Sequence, residues 1–239
     1  MDFGLCFQHP CNIIIAGPTG CGKTHFVTEI LKYRLIDPMP TRMILLYEEP
    51  QPMYAQWKQW FPNFEMVRGW VPDIAERFDG NVKNLLILDD QMSVAGDDKE
   101  LSRLFTIASH HRNVTIIYLV QNLFDKGKAM RDASLNARYL VLFKNGRDRM
   151  QLVNLGKQIF DGMPSIIPKA LDMIARQSKH PYVVIWTHPQ ILDILKIHTG
   201  IFPGEEKTFY TPGVYKDKKG RGYETETLAE CRVVNLLEL

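Results

Sequence analysis

Short apolar runs recur along the chain at 12–16, 43–47, 85–88, 114–120 and 139–143, and none of them alternates with polar residues. Continuous apolar runs of this length fit strands buried on both faces of a parallel sheet. Between them the period changes. Residues 25–35 place Phe26, Val27, Ile30, Leu31 and Tyr33 at helical intervals, and Asp37-Pro38-Met39-Pro40 stops that helix. Lys99 to Ser109 puts Leu101, Leu104, Phe105 and Ala108 on one helical face. Strands alternating with helices predict an α/β fold whose sheet is covered on both faces.

Elsewhere the pattern is weaker. Met1 to Pro10 predicts an irregular lead-in. Prolines at 50, 52, 62 and 72 leave room for a short helix near Tyr54 to Trp60 and then an irregular segment to Asp79. Trp57, Trp60, Phe61, Phe64 and Trp70 in that stretch fit packing over the sheet edge better than a base-stacking platform. Gly162 to Ser165 leads into a helix over Pro168 to Gln177, and Tyr182 to Trp186 is a further strand, a candidate for the sheet's edge. Beyond Gly200 the polar stretches at 216–222 and 224–227 predict a mobile tail or a short hairpin, and the apolar close from Cys231 to Leu239 predicts a docking segment.

One stretch changes the picture. The first apolar run meets Gly17-Pro18-Thr19-Gly20-Cys21-Gly22-Lys23-Thr24, a complete G-x-x-x-x-G-K-T between a strand and a helix. Its glycines let backbone N–H groups turn inward on phosphates, Lys23 adds a charge, and Thr24 can ligate Mg²⁺. The sequence therefore predicts a P-loop ATPase core over residues 1–200, with 201–239 as a tail or small appendage, binding ATP with Mg²⁺.

Phosphoryl transfer also needs a metal carboxylate and a group that orients water. Asp89 stands where the third run ends, in the place of a Walker B metal ligand. Asp90 follows as the candidate catalytic carboxylate, one methylene shorter than a glutamate. Glu48 and Glu49, at the end of the second run, are its rivals, with Glu49 the stronger of the two. Gln121 ends the fourth run and can sense a γ-phosphate, while Asn122 fits a turn. Arg112, before the fourth run, and Arg138, before the fifth, are candidates for an arginine finger serving a neighbouring subunit. His110 and His111 lack the partners of a zinc site.

Composition and charge bound the function. The 239 residues are 45% apolar and 23% charged, ordinary for a globular chain, and net charge is only +2. The charge is unevenly spread, since residues 121–179 carry eleven Lys or Arg against five Asp, a net +6 balanced by −4 elsewhere. A basic half is compatible with gripping a polyanion. Cys6, Cys11, Cys21 and Cys231 show no metal or disulfide spacing, which fits reduced thiols in an intracellular protein. No apolar run reaches the ~20 residues of a membrane span.

Together, Gly17 to Thr24, Tyr47-Glu48-Glu49-Pro50-Gln51-Pro52-Met53-Tyr54, Leu86-Ile87-Leu88-Asp89-Asp90, Ser109 to Phe124 and Ser134 to Asn145 resemble the genome-packaging ATPases of Polinton-like and adintovirus-like elements. These stand with the packaging ATPases of large eukaryotic DNA viruses in the FtsK–HerA group. The resemblance spans roughly His9 to Pro189. It implies a RecA-like (ASCE) P-loop NTPase with strand order 5-1-4-3-2, Lys23 and Thr24 as the Walker A pair, Asp89 and Asp90 as the Walker B pair, and Gln121 as sensor. Glu48 departs from it by replacing a small residue. The resemblance further implies a hexameric or pentameric homo-oligomeric ring that moves double-stranded DNA into a capsid, with capsid proteins as partners. Its place would be the infected host cell, in the nucleus or a virus factory, or the virion. A nucleotide-dependent DNA loader without translocation is the alternative. A monomeric small-molecule kinase is disfavoured, because no lid-like arginine cluster is evident.

Overall fold

Strand β2, Asn12–Ala16, is buried along its whole length, and Ile13, Ile14 and Ile15 are fully inaccessible. It lies within the first of two compact units, one extending to Leu140 and the other beginning at Val141. The computed structural model describes residues 6–90, 98–108, 111–123, 128–160, 163–216 and 222–232.

In the first unit, β1 (Phe7–Gln8) pairs in parallel with β3 (Ile36–Asp37), tying down the lead-in expected to be irregular. The main sheet is built from β2, β4 (Arg42–Tyr47), β5 (Glu65–Arg68), β6 (Asn84–Asp89) and β7 (Val114–Val120). Every pairing among them is parallel: β2 with β7, β7 with β6, β6 with β4, and β4 with β5. Tyr139 and Leu140 open β8 (Tyr139–Phe143) beside β2. The five strands foreseen in the sequence thus stand in the order fifth, first, fourth, third, second, and the sheet continues one strand further, to β5.

Parallel strands with both faces covered can be wholly apolar, and the burial of β6 and β7 at every position shows that they are covered. Helix α1 (Lys23–Lys32) buries Phe26, Val27, Ile30 and Leu31. Helix α2 (Tyr54–Trp60) buries Tyr54 and Trp57, and the Trp57 ring stacks 5.9 Å from Phe64. Both Trp57 and Phe64 are inaccessible, so of the five aromatics expected to pack these two are core, whereas Trp60 is exposed and Phe61 and Trp70 are half-buried. The expected helix over 99–109 is α3 (Asp98–Arg103) followed by one π turn, Leu104–Ala108, with Leu101, Leu104 and Phe105 buried. Ser109 lies outside the described residues. A further helix, Lys128–Asn136, precedes β8. Asn12 ties β2 to these segments, donating through Nδ2 to the Phe105 and Asn136 carbonyls at 2.9 and 3.1 Å.

Expectations for the second unit need more correction. Helix Arg149–Ile159 was not anticipated, and the helix expected over 168–177 spans Ile166–Ile174. Strand β9 (Tyr182–Trp186) is not an edge, because β10 (Ile197–Thr199) pairs with it antiparallel. β11 (Thr208–Lys216) and β12 (Gly222–Arg232) continue the sheet as an antiparallel ladder from Thr208↔Arg232 to Lys216↔Gly222, with an irregularity between Pro212 and Gly213. Residues 208–216 and 222–232 are therefore paired strands, a longer ladder than a short hairpin. Residues 217–221 and 233–239, the latter most of the expected docking segment, lie outside the described residues. Among the described residues no helix is long and apolar enough to cross a membrane.

Candidate nucleotide site

Parallel strands direct their carboxyl ends to one side of the sheet, and loops at those ends make the crevice. After β2 the chain turns through Gly17 to Gly22 before α1 begins at Lys23. The Gly17 N–H donates to the Val120 carbonyl at 3.1 Å, fixing the loop to the tip of β7. Gly20 and Gly22 hold φ of 77° and 108°, a left-handed region that a Cβ would strain. The Lys23 ammonium folds back to donate to the carbonyls of Gly17 at 2.6 Å and Pro18 at 3.1 Å. Burial pushes the Cys21 thiol up, against the pull of Lys23.

Asp89 ends β6, and its side chain is buried. Its Oδ2 accepts three donors: the Tyr54 hydroxyl at 2.6 Å, Gln51 Nε2 at 3.2 Å and Thr24 Oγ1 at 3.4 Å. Burial raises its carboxyl above the usual range and the Asp90 charge adds to that, while Tyr54, Lys23 and Thr24 oppose it. Burial and the adjacent Asp89 charge likewise raise the Tyr54 phenol, which stays protonated as a donor. Asp90 is exposed, with φ at 57°. That left-handed conformation suits Asp better than most residues. Gln121 Nε2, at the tip of β7, donates to Asp90 Oδ1 at 3.3 Å.

These groups surround one cavity of about 360 Å³, lined by Thr19, Gly20, Gly22, Lys23, Thr24, Gln51, Asp89, Asp90 and Gln121, with His25, Met53 and Leu119 completing it. Eight residues singled out in the sequence thus come together there, while Gly17, Pro18 and Cys21 shape the loop behind them. Glu49 is not brought to it. Its side chain is 80% exposed and pairs with Arg68 Nη2 at 2.8 Å, while Arg68 Nε donates to the Glu48 carbonyl at 2.9 Å. Arg112 and Arg138 precede β7 and β8, so they lie at the opposite ends of the strands. Arg112 Nη1 contacts the Phe78 carbonyl at 3.5 Å, and Arg138 lies 6.0 Å from the Tyr139 ring centre. His110 lies outside the described residues.

Gln51 and Tyr54 were missed as site residues. They follow the second strand, where the adjacent Glu48 and Glu49 gave the stronger chemical signal. What could have found them is position alone: polar side chains just beyond the carboxyl end of a parallel strand.

The donor set suits the chemistry the loop suggests. A buried carboxylate beside a threonine hydroxyl offers the hard oxygen ligands that Mg²⁺ takes, and the loop with Lys23 suits a polyphosphate.

The fold is thus the α/β fold of a RecA-like P-loop NTPase, as the phosphate loop and the strand order define it. No protein-family model matches the sequence, and no curated protein matches it significantly. Solved structures similar to the chain include the DNA-packaging ATPase B204 from Sulfolobus turreted icosahedral virus, 12% identical with a TM-score of 0.48 over 80% of this chain and 98% of that one. The genome-packaging NTPase B204 from Sulfolobus turreted icosahedral virus 2 in complex with ATP-gammaS is 12% identical, with a TM-score of 0.44 over 80% and 97%. ATPases 2 and 3 of EssC from Geobacillus thermodenitrificans are 11% identical, with a TM-score of 0.41 over 56% of this chain and 32% of that one. Likenesses this faint carry no weight for function, and the class rests on the loop and the sheet.

Proposed function

We propose that this chain is an ATPase that hydrolyses ATP between the subunits of a homo-oligomeric ring and uses the energy to drive double-stranded viral DNA into a capsid. The observation that carries the chemistry is the convergence of Lys23, Thr24, Asp89, Asp90 and Gln121 on one cavity. The loop N–H groups and Lys23 bind the phosphates, and Lys23 must leave the Gly17 and Pro18 carbonyls to do so. Thr24 and Asp89 hold Mg²⁺, which when bound neutralises charge on the phosphates. Asp90 orients the attacking water and takes its proton, since it faces the cavity and is exposed, whereas Glu49 is engaged by Arg68. Gln121, bonded to Asp90, couples that carboxylate to the presence of a γ-phosphate.

Neither Arg112 nor Arg138 reaches the cavity of its own chain, which accords with an arginine finger acting on a neighbouring subunit. The DNA and capsid assignments, and placement in the infected cell or virion, rest on the sequence resemblance. The basic stretch 121–179 supports the DNA assignment. We assign the DNA contacts to two basic stretches, 126–131 and 144–149; residues 126 and 127 lie outside the described residues, 128–131 open the helix Lys128–Asn136 and do not form a loop, and Arg147 is exposed. Contact with phosphates makes DNA binding salt-sensitive and largely indifferent to sequence.

The test is the ATPase rate with and without duplex DNA at low salt, on protein of known mass. Stimulated, sustained turnover by an oligomer is expected. A rate that DNA leaves unmoved overturns the motor, and DNA binding without sustained turnover favours a loader.

A further inference from the structure

Helix α2 reaches both residues of the metal pair from one side. Tyr54, at its start, donates its hydroxyl to Asp89 Oδ2 at 2.6 Å. Trp57, three residues on and so on the same face, donates Nε1 to Thr28 Oγ1 at 2.9 Å, and Thr28 in turn donates to the Thr24 carbonyl at 2.8 Å. Gln51, just before the helix, adds a second donor to Asp89 Oδ2 at 3.2 Å. The scaffold behind these bonds is closely packed. The Tyr54 ring packs 5.3 Å from Tyr47 and 5.0 Å from Trp57, and Trp57 is fully buried.

All three donors to Asp89, Thr24 included, converge on Oδ2. None of the three engages Oδ1, so these hydrogen bonds fix the rotation of the carboxylate without occupying both of its oxygens. Outer donors of this kind set the orientation of a metal carboxylate, and losing one typically costs 10–100-fold in metal affinity or activity.

We infer that Tyr54, assisted by Gln51, is a positioning residue for the divalent cation: it clamps Asp89 through Oδ2, and α2 braces Thr24 through Trp57 and Thr28, so that one helix sets the geometry of the metal pair. This rests on the proposed role of Thr24 and Asp89 as metal ligands. Tyr54 touches neither nucleotide nor reacting atoms in this scheme. Its effect is confined to the metal.

The experiment measures the affinity of full-length protein for ATP-gammaS in excess Mg²⁺ and in EDTA, for the wild type, Tyr54→Phe, Gln51→Leu and Asp89→Asn. The readout is the factor by which Mg²⁺ tightens binding. Tyr54→Phe keeps the ring packing and should lower that factor well over tenfold while leaving the affinity in EDTA unchanged, and Gln51→Leu, which removes the longer bond, should lower it about tenfold, the low end of that range. An unchanged factor in Tyr54→Phe, with Asp89→Asn lowering it, overturns the inference alone. A factor that Asp89→Asn leaves intact overturns the metal-site reading beneath it. Should Tyr54→Phe not fold, Gln51→Leu decides: an unchanged factor there overturns the clamp.

Discussion

Gln121 Nε2 donates to Asp90 Oδ1 at 3.3 Å, joining the tips of two neighbouring strands across the mouth of the cavity. Because β6 and β7 pair in register from Asn84↔Val114 to Asp89↔Leu119, the residues just past their ends are held side by side. The bond thus follows from the sheet. It leaves Asp90 exposed enough to meet water, yet oriented by a neutral donor that does not claim its proton.

Asp90→Asn should therefore keep nucleotide binding and lower the rate of ATP hydrolysis by about 100-fold or more, the usual loss on removing a general base. Glu49→Gln should leave the rate within about twofold, since that carboxylate is 80% exposed and paired with Arg68. Steady-state hydrolysis, read beside equilibrium binding of ATP-gammaS, decides between them. Normal turnover by Asp90→Asn would return the base to Glu49.

How much of this was legible beforehand depends on the kind of signal. Continuous apolar runs such as Ile13-Ile14-Ile15 and Leu85 to Leu88 are read directly, because burial on both faces leaves no polar residue to blur them. Strand β5 was not read. It has one neighbour, its ends Glu65 and Arg68 are exposed, and it follows Pro62, so it carries neither a buried run nor a clean alternation. Helix Arg149–Ile159 was obscured by Gly156, whose lack of a side chain is required because a Cβ there would lie 2.4 Å from the Pro164 carbonyl. In the site, residues anchored to the loop or to strand ends were foreseen. Gln51 and Tyr54 were not, because their approach to Asp89 depends on how α2 packs.

His198 offers a test in the second unit. It lies on β10 with 3% exposure, opposite Val184 on one side and Phe209 on the other, and its ring sits 5.4 Å from that of Phe209. Burial pushes its imidazole down from 6.5 to about 4, against a hydrogen bond to the Leu195 backbone that raises it. Between these values the unfolded chain binds a proton that the folded chain does not, so stability rises with pH and is lost as pH falls from 6.5 towards 4. At about 1.4 kcal/mol per pH unit the loss by pH 5 is roughly 2 kcal/mol. A thermal transition followed from pH 7 to pH 5 should fall more steeply in the wild type than in His198→Leu. Parallel curves for the two proteins would remove His198 as the source.

The basic stretch allows a sharper test of DNA contact than its charge alone. Lys144 Nζ and Arg149 Nη1 hold the two oxygens of Asp172 at 2.8 and 2.7 Å, and the hydrogen bond from Lys144, followed by that from Arg149, pulls the Asp172 carboxyl below its usual range. These side chains are partly exposed, at 39%, 57% and 35%, so each pair contributes at most about 1 kcal/mol and a phosphate can compete for the cations. If residues 144–149 grip duplex DNA, Asp172→Asn releases two cations and should tighten binding severalfold at low salt, with the advantage vanishing as salt rises. Replacing Lys144, Arg147 and Arg149 together by glutamine should weaken binding equally for unrelated sequences and reduce the slope of log affinity against log salt by about one for each phosphate no longer neutralised. Fluorescence anisotropy on labelled duplexes across a salt series measures both. Wild-type curves from both variants would take this loop out of the DNA path.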